Sequence, residues 1–144
     1  MTARNGAPTR GERNNNPGNI VRDMTPWLGL EPRDPAVEAR FCVFDTALHG
    51  VRALCIVLLN YQRLDGLRTL AQVIDRWAPP GENDTGSYVA DVERQAGVGR
   101  SDVIDIEQPE TLRKLAKAII QHENGRCVYA DDLIAQAARL ALAH

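Results

Sequence analysis

The sequence holds no apolar run long enough to span a membrane; the longest, Ala53 to Leu59, falls far short. Its opening stretch, MTARNGAPTRGERNNNPGN, is polar and lacks the apolar centre of a secretory leader. A chain made in the cytoplasm without a signal peptide, and without a membrane partner, is expected. Cysteine is scarce. Cys42, Cys55 and Cys127 are an odd number, widely spaced and without a CxxC pair, which excludes a disulfide framework and a thiolate zinc site and leaves part-buried thiols. His49, His122 and His144 show no metal-ligand spacing, so no metal is expected; no organic cofactor is expected either. Net positive charge is also missing. The formal charge is -2, and a nucleic-acid binder needs a basic face to neutralise phosphates.

What is present suits one soluble-type domain of 144 residues with a full core. No internal repeat or linker interrupts it. Residues 1–10 read as a flexible lead and 11–144 as the folded domain. RNNNPGNI, Arg13 to Ile20, reads as a turn-rich loop, because three Asn, a Pro and a Gly disfavour any regular element. Its amides both donate and accept hydrogen bonds, as sugar hydroxyls and N-acetyl groups require; an ordinary polar loop has the same composition. Ile20–Arg22 and Arg40–Phe44 are short β-prone runs that suggest a small antiparallel pair, joined by an irregular connection through Pro26, Pro32 and Pro35. Trp27 in that connection is either a core ring or a platform for a sugar.

Asp45-Thr46 starts a helix running to about Arg63, apolar almost all round at Ala53–Leu59 and hence central. A second helix spans Arg68 to Trp77 and stops at Pro79-Pro80-Gly81. A third, Ser87 to about Gln95, is capped by Asp84 or Thr85. A last helix begins at Asp131 or Asp132 as its cap. Between them, Leu112–Gly125 carries an apolar stripe at Leu112, Leu115, Ala116, Ile119 and Ile120. At about 100° per residue Glu123 returns to within about 20° of the Leu112 direction. Its carboxyl then continues the buried face, where loss of water favours the protonated acid that a general acid needs. The plainer alternative is a helix-end Glu facing solvent or pairing with Arg126. The fold class expected is mainly α, with a small β element and a central helix wrapped by four others.

NNNPGNI, the F-x-V-F-D of Phe41–Asp45, RWAPPGENDT-x-x-Y and HENG together resemble a phage-type, lysozyme-like family of cell-wall-lytic proteins, over about Gly11 to Leu140. More distantly, the same parts resemble those of lytic transglycosylases and glucosaminidases in rotated order. There, a helix ending in the catalytic Glu comes first; here the similar helix comes last. The resemblance implies a circularly permuted lysozyme-like domain acting on the β-1,4 glycan strands of peptidoglycan. It implies Glu123 as the catalytic acid, with Glu82 as runner-up and Glu12 third. It places Asn14, Asn15, Asn16, Asn19, Asn83, Asp84 and Tyr88 along the sugar. It also implies a monomer that reaches the periplasm or cell wall through a virion, a holin or a secretion machine, with virion or secretion-machinery proteins as further partners. Inverting hydrolysis would need a second carboxylate roughly 6.5–9.5 Å away, for which Asp45, Glu82 and Asp84 are candidates. A lytic transglycosylase works with a single Glu. The competing class is a virion structural protein that binds peptidoglycan through the Asn turn, Trp27 and Tyr88 without cutting it. A helical DNA-binding regulator is disfavoured by the charge.

Overall fold

The computed structural model describes residues 6–144. Among these residues six helices run in chain order: α1 (Arg10–Arg13), α2 (Ala47–Arg63), α3 (Leu70–Trp77), α4 (Thr85–Ala96), α5 (Pro109–Asn124) and α6 (Asp131–Leu142). The protein is one mainly helical domain. The α2 helix lies at its centre, as its unbroken apolar middle demands: Val51, Ala53, Leu54, Cys55, Ile56, Leu58 and Leu59 are all buried. It packs most extensively on α6 and also touches α3 and α5, while α4 closes over α3 and α5. Among the described residues no helix is long and apolar enough to cross a membrane. All three cysteines are free thiols, Cys42 and Cys55 buried, and burial pushes the Cys55 thiol up to about 12.

Helix ends follow local chemistry. Thr46 caps α2 through a bond from His49 N–H, and Thr69 and Gln72 form a capping box on α3. Asp84, not Thr85, caps α4. At α5 a proline at the first turn and Gly125 in the left-handed region just past the end mark both limits. The last helix differs from expectation: Ala130 holds its cap position with no side-chain bond, and Asp131 and Asp132 sit in the first turn. There they complement the helix dipole, and Asp131 pairs with Lys117 at 2.9 Å.

The N-terminal part also differs. Met1 to Asn5 of the expected lead lie outside the described residues, but Thr9 and Glu12 form a capping box that makes the single-turn α1. Thr9-x-x-Glu12 is the signature of that box, masked in the sequence by the loop-forming residues around it. Arg126 then ties the segment down, donating to the Ala7 carbonyl at 2.9 Å and to Glu12 at 2.6 Å.

The β element consists of single antiparallel bridges, Val21 with Phe41 and Leu30 with Phe44, not continuous strands. Residues 40–45 are bonded along both edges. On one, Arg40 accepts from Arg22, Cys42 donates to Ile20 and Phe44 donates to Asn14; on the other, Val43 accepts from Glu31 and Asp45 donates to Gly29. The Asn turn is pressed against α2 by a close backbone approach. A Cβ on Gly50 would lie 1.7 Å from the Asn15 carbonyl oxygen. Gly50→Ala must therefore separate turn and helix, and chemical denaturation should show a loss of roughly 3 kcal/mol or complete failure to fold.

Candidate functional site

The apolar stripe of α5 ends differently from its helical projection. Leu112, Leu115, Ala116, Ala118, Ile119 and Ile120 are buried, and the buried position at the tip belongs to Asn124. Glu123, one residue earlier, is half-buried and stands between two surface clefts. The larger, of about 450 Å³, is walled by Gly18, Asn19, Arg40, Phe41, Tyr61, Trp77, Glu82 and Asn83. The smaller, of about 330 Å³, lies on the side of Pro8, Thr9, Arg10 and Gly11. A carboxyl shared by both clefts faces whatever passes from one to the other.

Asn124 fixes the helix end. Its amide nitrogen donates to the carbonyls of Pro17 and Ile120 at 2.8 and 2.9 Å, and its oxygen accepts from the Thr9 hydroxyl at 2.6 Å. This buried amide joins α5 to the Asn turn through Pro17 and to the cap of α1 through Thr9, while its bond to Ile120 stays within α5. Gly11 permits the approach: a Cβ there would meet the Asn124 oxygen at 2.8 Å and the Asn19 oxygen at 3.0 Å.

Both oxygens of Glu123 accept hydrogen bonds. Asn19 Nδ2 donates to Oε1 at 3.0 Å, and the Tyr88 hydroxyl donates to Oε2 at 2.7 Å. The Trp77 indole N–H in turn donates to the Tyr88 oxygen at 3.0 Å, which turns the phenolic proton towards Glu123. Tyr88 is 2 % exposed. Burial, with the Glu123 charge beside it, pushes its hydroxyl far above the ordinary tyrosine range, so it remains a donor. Its ring stacks on His122 with centroids 3.6 Å apart, and His122 is held by Asp91 at 2.8 Å. Asn19 has a left-handed backbone (φ 52°), a conformation Asn tolerates better than other non-glycine residues and one that sets the amide at the carboxyl. The constellation is thus a fixed carboxyl with a tyrosine donor, an amide donor and an indole behind them.

The other site residues expected from sequence divide cleanly. Glu82 and Asn83 line the larger cleft and are exposed. Asp84 caps α4 through Ser87 and lies outside the cleft wall. Asp45 is also away from it, paired with His49 at 2.6 Å. Of the three candidates for a second carboxylate, Glu82 alone shares the cleft with Glu123. Glu12 is bound by Arg126, whose guanidinium, against the effect of burial and aided by the Thr9 N–H, holds its carboxyl below the ordinary range. Arg126 therefore pairs with Glu12 and leaves Glu123 to Tyr88 and Asn19.

Asn14 and Asn16 are scaffold amides. Asn16, fully buried, donates to the carbonyls of Ile20 and Cys42 and accepts from Ile20 N–H. Asn14 donates to Glu38 at 2.9 Å. Asn15, half-buried, donates to the Phe44 carbonyl. Of the four turn asparagines assigned to sugar contact, only Asn19 borders the clefts. Composition shows that amides are plentiful in this turn but not which way each one points. Trp27 is half-buried against the core and lines a separate cleft near His144. Asn124, Trp77 and Arg40 were not singled out from sequence. Asn124 had a signal, since it follows Ile120 by four residues and so continues the inner face of α5.

No protein-family model matches the chain. The fold and site define a small helical protein with a cleft-borne, hydrogen-bonded carboxyl. The chain is 36% identical over 128 residues to Protein P5 of Pseudoalteromonas phage PM2, covering 87% of this chain and 77% of that protein. It belongs to the family of that phage protein.

Glu38 anchors the turn on its far side. Its carboxylate takes a two-pronged bond from Arg10 at 2.7 and 2.6 Å, and bonds from Asn14 and the N–H groups of Arg40 and Phe41. The Arg10 fork, against the cost of burial and helped by those N–H groups, holds the Glu38 carboxyl far below the carboxylate range. A depressed value means that Glu38 stabilises the fold above the range where a free Glu titrates, and that this contribution disappears as pH falls through that range towards the folded value. Glu38→Ala leaves the buried Asn14 amide and the part-buried N–H groups of Arg40 and Phe41 without their acceptor and should cost about 3 kcal/mol at pH 7. Urea denaturation of this variant at pH 7 and in acid should show that its deficit relative to wild type narrows as the pH drops.

Proposed function

We propose that the protein is a phage-derived peptidoglycan-degrading glycosidase of lysozyme-like, circularly permuted fold, with Glu123 as the general acid. The observation that carries this reading is the placement of Glu123: one carboxyl, oriented at both oxygens, at the junction of two open clefts. The phage relative supports the source and leaves the chemistry to the site. The glycan lies along the two clefts, with Asn19 and Asn83 beside it and Tyr88 behind the acid. Glu123 in its protonated form gives the proton to the glycosidic oxygen as the bond to the sugar carbon breaks. Tyr88 and Asn19 then hold the resulting carboxylate in place, and their donors need no reorganisation as the charge appears.

Two product outcomes follow from what happens next. In a transglycosylase the Glu123 carboxylate takes the proton from the sugar's own 6-hydroxyl, whose oxygen closes onto the anomeric carbon. In an inverting hydrolase a second carboxylate activates water, and Glu82 is the residue of the cleft wall available for it. The exposure of Glu82, which forms no bond to fix it among the described residues, favours the single-acid route. No metal or cofactor enters either route. The protein acts in the cell wall after delivery by a virion, holin or secretion system.

The test is digestion of purified cell walls followed by mass spectrometry of the released muropeptides. Wild type should yield anhydro-terminated fragments. Glu123→Gln should lower release by about 10²–10⁴-fold with the thermal transition retained. Release undiminished in Glu123→Gln contradicts the assignment. Binding to walls with no release by wild type would instead identify a peptidoglycan-binding virion component.

A second variant separates acid from support. Tyr88→Phe removes one donor to Glu123 and leaves the ring stacked on His122. Release should fall by roughly 10-fold, far less than for Glu123→Gln, and initial-rate measurements on the same walls should show the fall in kcat more than in KM.

A further inference from the structure

His122 and Asp91 line neither cleft, yet the contact that orients Glu123 leads back to them. His122 Nδ1 stands 2.8 Å from Asp91 Oδ2, and the other oxygen of Asp91 accepts from Arg94. A carboxylate only accepts, so Nδ1 carries a proton whatever the charge of the ring. One face of the imidazole lies on the Tyr88 ring, with centroids 3.6 Å apart and the planes 29° from parallel. Tyr88 and Asp91 are three residues apart on α4 and share one face of it, so they grip His122 at its face and at its edge. Consecutive residues of α5 point about 100° apart, so His122 and Glu123 leave that helix in different directions. The Tyr88 side chain joins them: its ring meets the imidazole, and its hydroxyl donates to Glu123 Oε2 at 2.7 Å. The His122 and Asp91 side chains keep 30% and 22% of their surface exposed. A pair this near to water adds little to stability, so its fixed geometry is accounted for by what it holds.

We propose that His122, held by Asp91, is a positioning residue: by backing the phenol ring it keeps the Tyr88 hydroxyl on the carboxyl that gives up its proton. This rests on the reading of Glu123 as the general acid and adds to it the groups that keep its donor aligned. The hydroxyl lies at the far end of the ring, where any tilt of the side chain moves it most. Catalytic geometry tolerates only about 0.5 Å or 10–20° of misplacement. The Trp77 indole holds the phenolic oxygen at one point, and a single point leaves the ring free to pivot. The imidazole removes that freedom. Because neither His122 nor Asp91 reaches a cleft, loss of either acts on turnover and leaves substrate binding alone.

The experiment combines initial rates on purified cell walls with proton NMR of the folded protein. His122→Ala should lower kcat about fivefold and change KM by less than about twofold. In a Tyr88→Phe background the same change should add less than about twofold, because the hydroxyl it aligns is gone. Asp91→Ala should behave likewise at about threefold, and Asp91→Asn, which keeps an acceptor for Nδ1–H, should restore most of the loss. A buried, bonded phenol exchanges its proton slowly. The spectrum should therefore hold a Tyr88 hydroxyl signal that is absent from Tyr88→Phe, lost or shifted in His122→Ala and kept in Asp91→Asn. Equal losses with and without the Tyr88 hydroxyl, a rise in KM alone, or a hydroxyl signal unmoved in His122→Ala overturns the proposal. If His122→Ala does not fold, Asp91→Ala carries the same comparisons. If wild type releases nothing from the walls, the glycosidase reading fails, and the hydroxyl signal alone decides whether His122 holds Tyr88 on Glu123.

Discussion

The structure depends on how the last turn of α5 is tied to the Asn turn. A helix end exposes carbonyls and a dipole terminus that want partners, and a loop of amides has unpaired donors and acceptors of its own. Asn124 and Asn19 answer both needs. One joins Ile120 and Pro17 and accepts from Thr9; the other donates to Glu123. The bonds to Pro17 and Thr9 and the one between Asn19 and Glu123 each span more than a hundred residues of chain, yet they meet within one turn of helix. Without them the carboxyl would sit on a frayed helix end, free to take any rotamer.

The supports around this joint run outward in layers. Behind Glu123 stand Tyr88 and Trp77, delivered by α4 and α3, and behind Tyr88 stand His122 and Asp91. Beneath the Asn turn lies Gly50 of α2, where a side chain has no room. On the far side Glu38 collects Arg10, Asn14 and two backbone N–H groups. The central helix, the turn, the bridged segment 40–45 and α5 are therefore one mechanical unit. A single carboxyl held in this way is pre-oriented for proton transfer, which is what the proposed lytic role asks of it.

Much of this architecture was legible in the residues. The five long helices follow from apolar spacing, Thr and Asp caps, and the Pro and Gly stops at 79–81 and 125. The central place of α2 follows from Ala53–Leu59. What escaped is decided by tertiary pairing. A helical wheel places Glu123 near the dry stripe but cannot see that the packing of α5 against the Asn turn gives the dry place to Asn124. The asparagines of 14–19 look alike in sequence, and only the fold separates Asn16, which holds the turn together, from Asn19, which faces the carboxyl. The expected strand pair is reduced to bridges because residues 40–45 divide their bonds between two neighbours. Arg126 near Glu123 looks like its partner, yet it lies past the left-handed Gly125 that ends α5 and pairs with Glu12 instead.

The central claim is that the Glu123 side chain meets the bond to be broken. The most direct measurement is a crystal structure of the Glu123→Gln protein with a bound peptidoglycan tetrasaccharide. The account predicts sugar in both clefts, with a glycosidic oxygen within about 3 Å of the amide at position 123 and the Tyr88 hydroxyl still on that side chain. An oligosaccharide bound elsewhere, or one crossing the clefts with its glycosidic oxygens out of reach of that residue, would contradict it.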